Sequence, residues 1–236
     1  MLIVFEDRPS DSPLINRVWR SHSETGGLFN SVATAHWDMV ISKISGRSSV
    51  ILRGPETRAS AVDCPADGEW VGIRFRLGTF MPKFPTADRI DHSNVILPYA
   101  TSRSFWLEGS VWEHPTFENA EVFVGRLAEK GLIVVDPLLT DEDRHFERTL
   151  PSRRTEQRRF LRATGLAQTT ADQIERARRA TLMLKEGRPI LDVVFETGYY
   201  DQAHLTRSLK RFVGLTPTQI IRDTHQMSLL YKTDQI

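Results

Sequence analysis

The chain has one cysteine, Cys64, in 236 residues. A single thiol excludes an internal disulfide framework and fits a reducing compartment. With no second cysteine to resolve it, Cys64 reads as an ordinary thiol rather than a redox sensor. No run approaches the ~20 apolar residues that a membrane-spanning helix needs. Met1 to Phe5 are apolar but have no basic leader and run straight into Glu6-Asp7-Arg8. They read as neither signal peptide nor anchor, so the expectation is a cytoplasmic chain without membrane contact. The sequence lacks G-x-S-x-G, phosphate-loop and H-E-x-x-H motifs. His22, His36, His92 and His114 of the front half form no H-x-H pair and no ligand-spaced His and Glu on one strand. A non-enzymatic protein without metal or cofactor is the expectation from these absences.

Net charge is also scarce, a formal +1 in total, but the total conceals a division. Residues 148–222 hold 15 Lys/Arg against 7 Asp/Glu, a net +8, whereas residues 1–147 hold 15 against 21, a net −6. Such asymmetry points to nucleic acid as the partner of the basic part. A merely solvated charged face is the competing reading. It is weaker because the basic block is dominated by arginine, the side chain suited to phosphate and guanine.

The front of the chain reads as β-rich. Runs at 36–44, 48–53 and 70–77 are separated by Ser45-Gly46-Arg47, Gly54-Pro55 and Asp67-Gly68. Short strands between such turns suggest an antiparallel sandwich or partial barrel. From Glu118 the pattern becomes helical, starting with Glu121 to Gly131 and then a helix opened by Asp136-Pro137. The expected organisation is α+β, with a β-rich domain over 1–118 and an all-α domain over 119–236. Thr170-Ala171-Asp172-Gln173 reads as a capping box opening a long helix at about 170–186, stopped by Gly187. Pro189 starts a short helix over Ile190 to Glu196, and Asp201 caps another that runs to Phe212. Thr216-Pro217-Thr218-Gln219 reads as a second capping box. The helical block has its own caps and apolar stripes, so it is expected to fold alone and bind the same DNA.

One pattern occurs twice, 49 positions apart. Ser152, Arg158, Phe160 and Gly165-Leu166 match Asp201, Arg207, Leu209 and Gly214-Leu215. Each copy has a cap-competent residue, an arginine six later, an apolar anchor and a glycine stop. A short helix, a glycine-containing turn and a second helix is the helix-turn-helix layout. Two such units are expected, at about 136–164 and 190–212, joined by the long helix.

The stretch Gly198 to Pro217, with Asp201, Leu205, Arg207, Leu209-Lys210-Arg211, Gly214 and Thr216-Pro217, resembles the DNA-binding domain of the AraC/XylS family of bacterial transcription regulators. The resemblance covers about residues 119–222. Tyr199 and Leu205 stand where that family commonly has phenylalanine. Glu156 stands where its first recognition helix usually has an apolar residue, and Asp141-Glu142-Asp143 also depart from its pattern. The resemblance implies a regulator of transcription whose two recognition helices enter successive major grooves, roughly one turn (~34 Å) apart. It implies double-stranded DNA as partner. A small-molecule effector in a cupin-like front domain, RNA polymerase, and a second copy of the chain through that front domain are further candidates. The rival reading is a cupin-like metal-dependent enzyme with a helical appendage.

Side chains near the start of a recognition helix reach base edges. Those are Arg153, Arg154, Gln157 and Arg158 in the first unit and Gln202, Ala203, His204 and Arg207 in the second. Arg159, Thr206, Lys210 and Arg211 are expected on phosphates. A structural ion pair is the alternative for Arg158, and a polar surface position the alternative for His204. Val194, Phe195, Leu205, Leu209 and Phe212 are expected in the core. The aromatic residues of the front half, Trp37, Trp70, Phe75, Phe80, Phe105, Trp106 and Trp112, fit either a ligand cavity or an ordinary core.

Overall fold

The computed structural model describes residues 3–84, 90–91, 95–136 and 153–222. Eight strands precede residue 85: β1 (Ile3–Pro9), β2 (Ile15–Ser23), β3 (Gly27–Ser31), β4 (Asp38–Ile44), β5 (Arg47–Arg53), β6 (Ser60–Cys64), β7 (Gly68–Phe75) and β8 (Thr79–Phe80). β9 (Val95–Ile96), β10 (Ser104–Leu107), β11 (Ser110–Glu113), α1 (Ala120–Glu129) and β12 (Val134–Val135) complete the front half. Six strands form an antiparallel sheet in the order β1-β2-β7-β4-β5-β9. Three two-stranded sheets, β3–β6, β8–β12 and β10–β11, surround it.

The three strand runs expected from sequence correspond to β4, β5 and β7. The β4–β5 hairpin turns at Ser45-Gly46, where φ is +49° and +77°, the primed-turn geometry that matches strand twist. β1 and β2 were not expected because charged residues interrupt their alternation. Those charges are matched across the ladder: Glu6 sits opposite Arg20 and accepts its Nε at 2.7 Å. Opposite charges placed so favour that pairing.

The sheet's core contains Ile15, Val18, Met39, Ile73 and Phe75. Trp37 stacks on Phe75 with ring centroids 3.8 Å apart and donates its indole N–H to Thr79 O at 2.6 Å. Trp37, Phe75, Phe105 and Trp112 are all buried in this cluster, while Trp106 is exposed. Four of the front-half aromatics are thus ordinary core.

Helix α1 joins the same core through Ala120, Phe123, Val124 and Leu127. Arg8 of β1 reaches across to it, donating to both carboxylate oxygens of Glu121 at 2.6 and 2.8 Å. That bidentate contact holds the Glu121 carboxyl down at about 2. By its packing, α1 belongs with the sheet and not with the helical block, so the change of core falls after α1 rather than near 118. An apolar stripe says that a helix is buried on one face; it does not say against what.

The helical block comprises α2 (Arg153–Thr164), α3 (Gln168–Lys185), α4 (Ile190–Thr197), α5 (Gln202–Phe212) and α6 (Pro217–Arg222). The helix expected from Asp136 falls outside the described residues beyond that position. Asp136 itself donates its N–H to Gly78 O at 2.8 Å, next to the β8–β12 pairing. α3 begins two residues before the expected Thr170 box. Its cap is Ala167, an extended residue whose carbonyl takes the Thr170 and Ala171 amides. Buried Leu166 anchors the chain just before that turn, and packing sets the start where the side-chain box would have set it later.

Ala171, Ile174, Ala177, Thr181 and Leu184 form the buried stripe of α3. Against it lie Val193 and Val194 of α4, Leu205, Leu209 and Phe212 of α5, and Ile220 of α6. Phe195, expected in this core, is 86% exposed. With Val193 and Val194 inward, a residue one or two positions on at 100° per residue turns outward, and Leu191, four positions back on the same face, is exposed too.

The second core is not purely helical: Ala33 and Ala35, from the segment between β3 and β4, are part of it. Two backbone hydrogen bonds mark this seam. Ala33 N–H donates to Phe212 O at 2.7 Å, and Ala59 N–H donates to Arg211 O at 2.8 Å. Both acceptors are carbonyls at the end of α5, which no helical partner can reach. The donor segments are tied together by the paired Thr34 and Glu56 amides, and by Arg53, which donates to Glu56 at 2.6 Å and to Ser31 Oγ at 2.7 Å. The expectation of a self-sufficient helical half therefore needs revision, because the front half fills part of its core and caps α5.

Candidate nucleic-acid interface

Helix α5 is fixed at both ends by local chemistry. Asp201 is extended, and its carboxylate accepts the His204 N–H at 2.6 Å, an N-cap satisfying one orphan donor. Gly198, with φ +71°, ends α4 and makes the turn into α5. At the other end Gly214 has φ +85° and sends its N–H back to Leu209 O. α6 then opens with the expected reciprocal box: Gln219 N–H donates to Thr216 Oγ1 at 3.3 Å, and Thr216 N–H to Gln219 Oε1 at 2.9 Å.

This geometry presents Gln202, Ala203, Arg207, Lys210 and Arg211 as exposed residues of α5, with Leu205, Leu209 and Phe212 buried behind them. Thr206 is half-buried, and its hydroxyl donates to Gln202 O at 2.8 Å. His204 is half-buried as well. Its ring meets Tyr199 edge-on at 5.1 Å, and its Nδ1 accepts the Tyr200 N–H at 3.4 Å. That bond leaves the ring proton of neutral His204 on Nε2.

The first copy of the repeat keeps its register. α2 begins at Arg153 and α5 at Gln202, the same 49-residue offset, and Gly165 mirrors Gly214 with φ +77°. Arg154, Gln157 and Arg158 are exposed on α2, as is Glu156. The side chain of Arg153 and the cap position Ser152 lie outside the described residues. The ion pair weighed for Arg158 falls instead on its neighbour: Arg159 lies 3.9 Å from Asp136. No described carboxylate pairs with Arg158. The two candidate sets are not brought together directly; α2 packs on α3 and β8, and α5 packs on α3, α4 and α6.

Sequence reading gave no role to α3 beyond joining the units. Gln173 and Arg176 of α3 nevertheless line a cavity of about 300 Å³ together with residues of α5. Tyr199 forms part of its wall and shares a 2.7 Å hydrogen bond with Ser208 Oγ. Burial raises the Tyr199 phenol above its usual value, against the pull of that bond and of Arg176 and Arg179. The run Arg176, Arg178, Arg179 was the available signal for a role of α3.

Residues 147–223 match the family model described as a helix-turn-helix domain. This part of the chain is an AraC-type helix-turn-helix domain, and the match supports an AraC family regulator, a DNA-binding protein of transcription regulation. No curated protein and no solved structure matches the chain. No helix among the described residues is long and apolar enough to cross a membrane.

Proposed function

We propose that the chain is a sequence-specific transcription regulator that sets α2 and α5 into successive major-groove segments, with α5 supplying most of the base reading. The observation that carries this is the start of α5. It is a capped helix whose exposed face holds Gln202, Ala203 and Arg207, and no described carboxylate pairs with Arg207. An unpaired guanidinium there is free to bond guanine bidentately, and glutamine suits adenine. α2 offers Arg154, Gln157 and Arg158 in the same register, but Glu156 on its surface repels phosphate. The first unit therefore adds affinity more than discrimination.

The front half acts on α5 through the seam. An effector that displaced the 31–35 or the 56–59 segment would remove one of the two amide donors that bond carbonyls at the end of the base-reading helix. That is a differential contact through which a ligand can bias the DNA-competent arrangement. No observation favours the metal-dependent enzyme. The test is selection from random duplexes with the purified protein. It is expected to recover a common sequence with two elements about one helical turn apart. Recovery of no common sequence would contradict the assignment.

A further inference from the structure

The cavity between α3 and α5 has a charge problem that the fold leaves unsolved. Arg176 of α3 and Arg207 and Arg211 of α5 all line it, and no described carboxylate pairs with any of the three. Some other arginines of the chain do hold a carboxylate. Arg178, two residues beyond Arg176, is bound by Glu175 at 2.8 Å, and Arg8, Arg20, Arg53 and Arg74 each hold a carboxylate. Three like charges around one concavity repel each other, and Arg176 is half-buried besides. An anion is the species that relieves both costs.

The donors specify which anion. Guanidinium forks bind tetrahedral oxyanions through paired N–H bonds, and Gln173 of α3 and Ser208 of α5 add neutral polar groups to the lining. Arg176 is held over the Tyr199 ring, 5.7 Å from its centroid, which fixes its direction. Arg207 also belongs to the exposed face of α5 with Ala203, four residues earlier. An anion held in the cavity therefore lies at the border of the surface offered to bases.

We propose that this cavity is a phosphate cradle, in which Arg176 and Gln173 of the connecting helix act with Arg211 to grip a DNA backbone phosphodiester beside the base pairs that α5 reads. The inference rests on the DNA-binding reading above and adds two residues from α3 to the interface. The cradle clamps the duplex at α5 through its backbone and adds affinity without reading sequence. Because the carbonyl of Arg211 is bonded to Ala59 N–H, the front half also holds one wall of it.

The test compares full-length wild type, Arg176→Gln, Arg176→Lys and Arg126→Gln on the selected duplex and on a random one, across a salt series. Arg126 is exposed on α1, so its variant controls for the loss of one charge. Arg176→Gln is expected to weaken both duplexes alike and to reduce the salt slope by about one, so that it and wild type converge about threefold between ~0.05 and ~0.2 M salt. Arg176→Lys is expected to recover the slope, and Arg126→Gln to keep it. An unchanged slope for Arg176→Gln, or a change in base preference in place of a uniform loss, overturns the cradle. Inorganic phosphate supplies the other arm. If it binds wild type but not Arg176→Gln while the DNA slope is unchanged, the site takes free anions and the DNA assignment is wrong. A wild type without salt-dependent duplex binding refutes the proposed function itself, a result distinct from these.

Discussion

Replacing Gly214 by alanine should cost more than replacing Gly187 by alanine, and the excess should report the seam between the two halves. Both glycines terminate helices with nearly the same backbone, φ +85° after α5 and φ +82° after α3. A Cβ in that left-handed region costs about 1–2 kcal/mol in either place. At Gly187 the new atom meets nothing within 4 Å, so the backbone cost is the whole effect. At Gly214 it would stand 3.2 Å from Ala59 Cβ and 3.6 Å from Asn30 Nδ2, both in the front half. The first distance is tight enough that the front segment must yield. Overpacking of this kind adds roughly 1 kcal/mol or more, and it strains the neighbouring Ala59–Arg211 hydrogen bond. Urea unfolding of the intact chain gives the comparison, with Ala59→Gly as the second arm of a double-mutant cycle. The excess at Gly214 should shrink when Ala59 loses its Cβ, leaving only the backbone part. Equal losses for Gly187→Ala and Gly214→Ala, with no coupling to Ala59→Gly, would refute the seam.

Two further outcomes follow from local chemistry. Glu121 has its folded carboxyl depressed from 4.5 to about 2 by the hydrogen bonds from Arg8, so its contribution is present above about 4.5 and is lost as the pH falls toward 2. Glu121→Gln should lower the urea midpoint near neutrality and converge with wild type at the acid end; a gap independent of pH would contradict the Arg8 account. Asp201→Ala leaves the His204 N–H without its cap and should cost about 1 kcal/mol, read as a lower melting temperature. A stability equal to wild type would mean that Asp201 does not hold the start of α5.

The features most legible in the sequence are those that neighbouring residues decide. Asp201, Gly198, Gly214 and the Thr216–Gln219 box each act within one helical turn, and the structure places α4, α5 and α6 where they direct. The repeat located α2 because its start and glycine stop lie at the same offset as those of α5. What stayed hidden depends on contacts distant in sequence. The packing partner of α1 is set by the sheet, and nothing local separates it from the helices that follow. Phe195 lies in the apolar run Ile190 to Phe195, broken only by Asp192, where period alone does not say which face is inward. The seam is built from backbone amides of Ala33 and Ala59, which carry no side-chain signature. The cavity joins Arg176 to Arg211 across 35 positions, a proximity that only the α3–α5 packing creates.

The central claim is that α5 reads bases and that Arg207 is its main reader. Binding-site selection with wild type, Arg207→Ala and Arg158→Ala, all full-length and at one salt concentration, tests it most directly. Arg207→Ala should lose about 1–3 kcal/mol on the selected duplex and relax preference at one base pair. Arg158→Ala should lose less, and equally on every sequence. An Arg207→Ala protein that selects the wild-type sequence undiminished, or a larger loss of base preference from Arg158→Ala, would contradict the account.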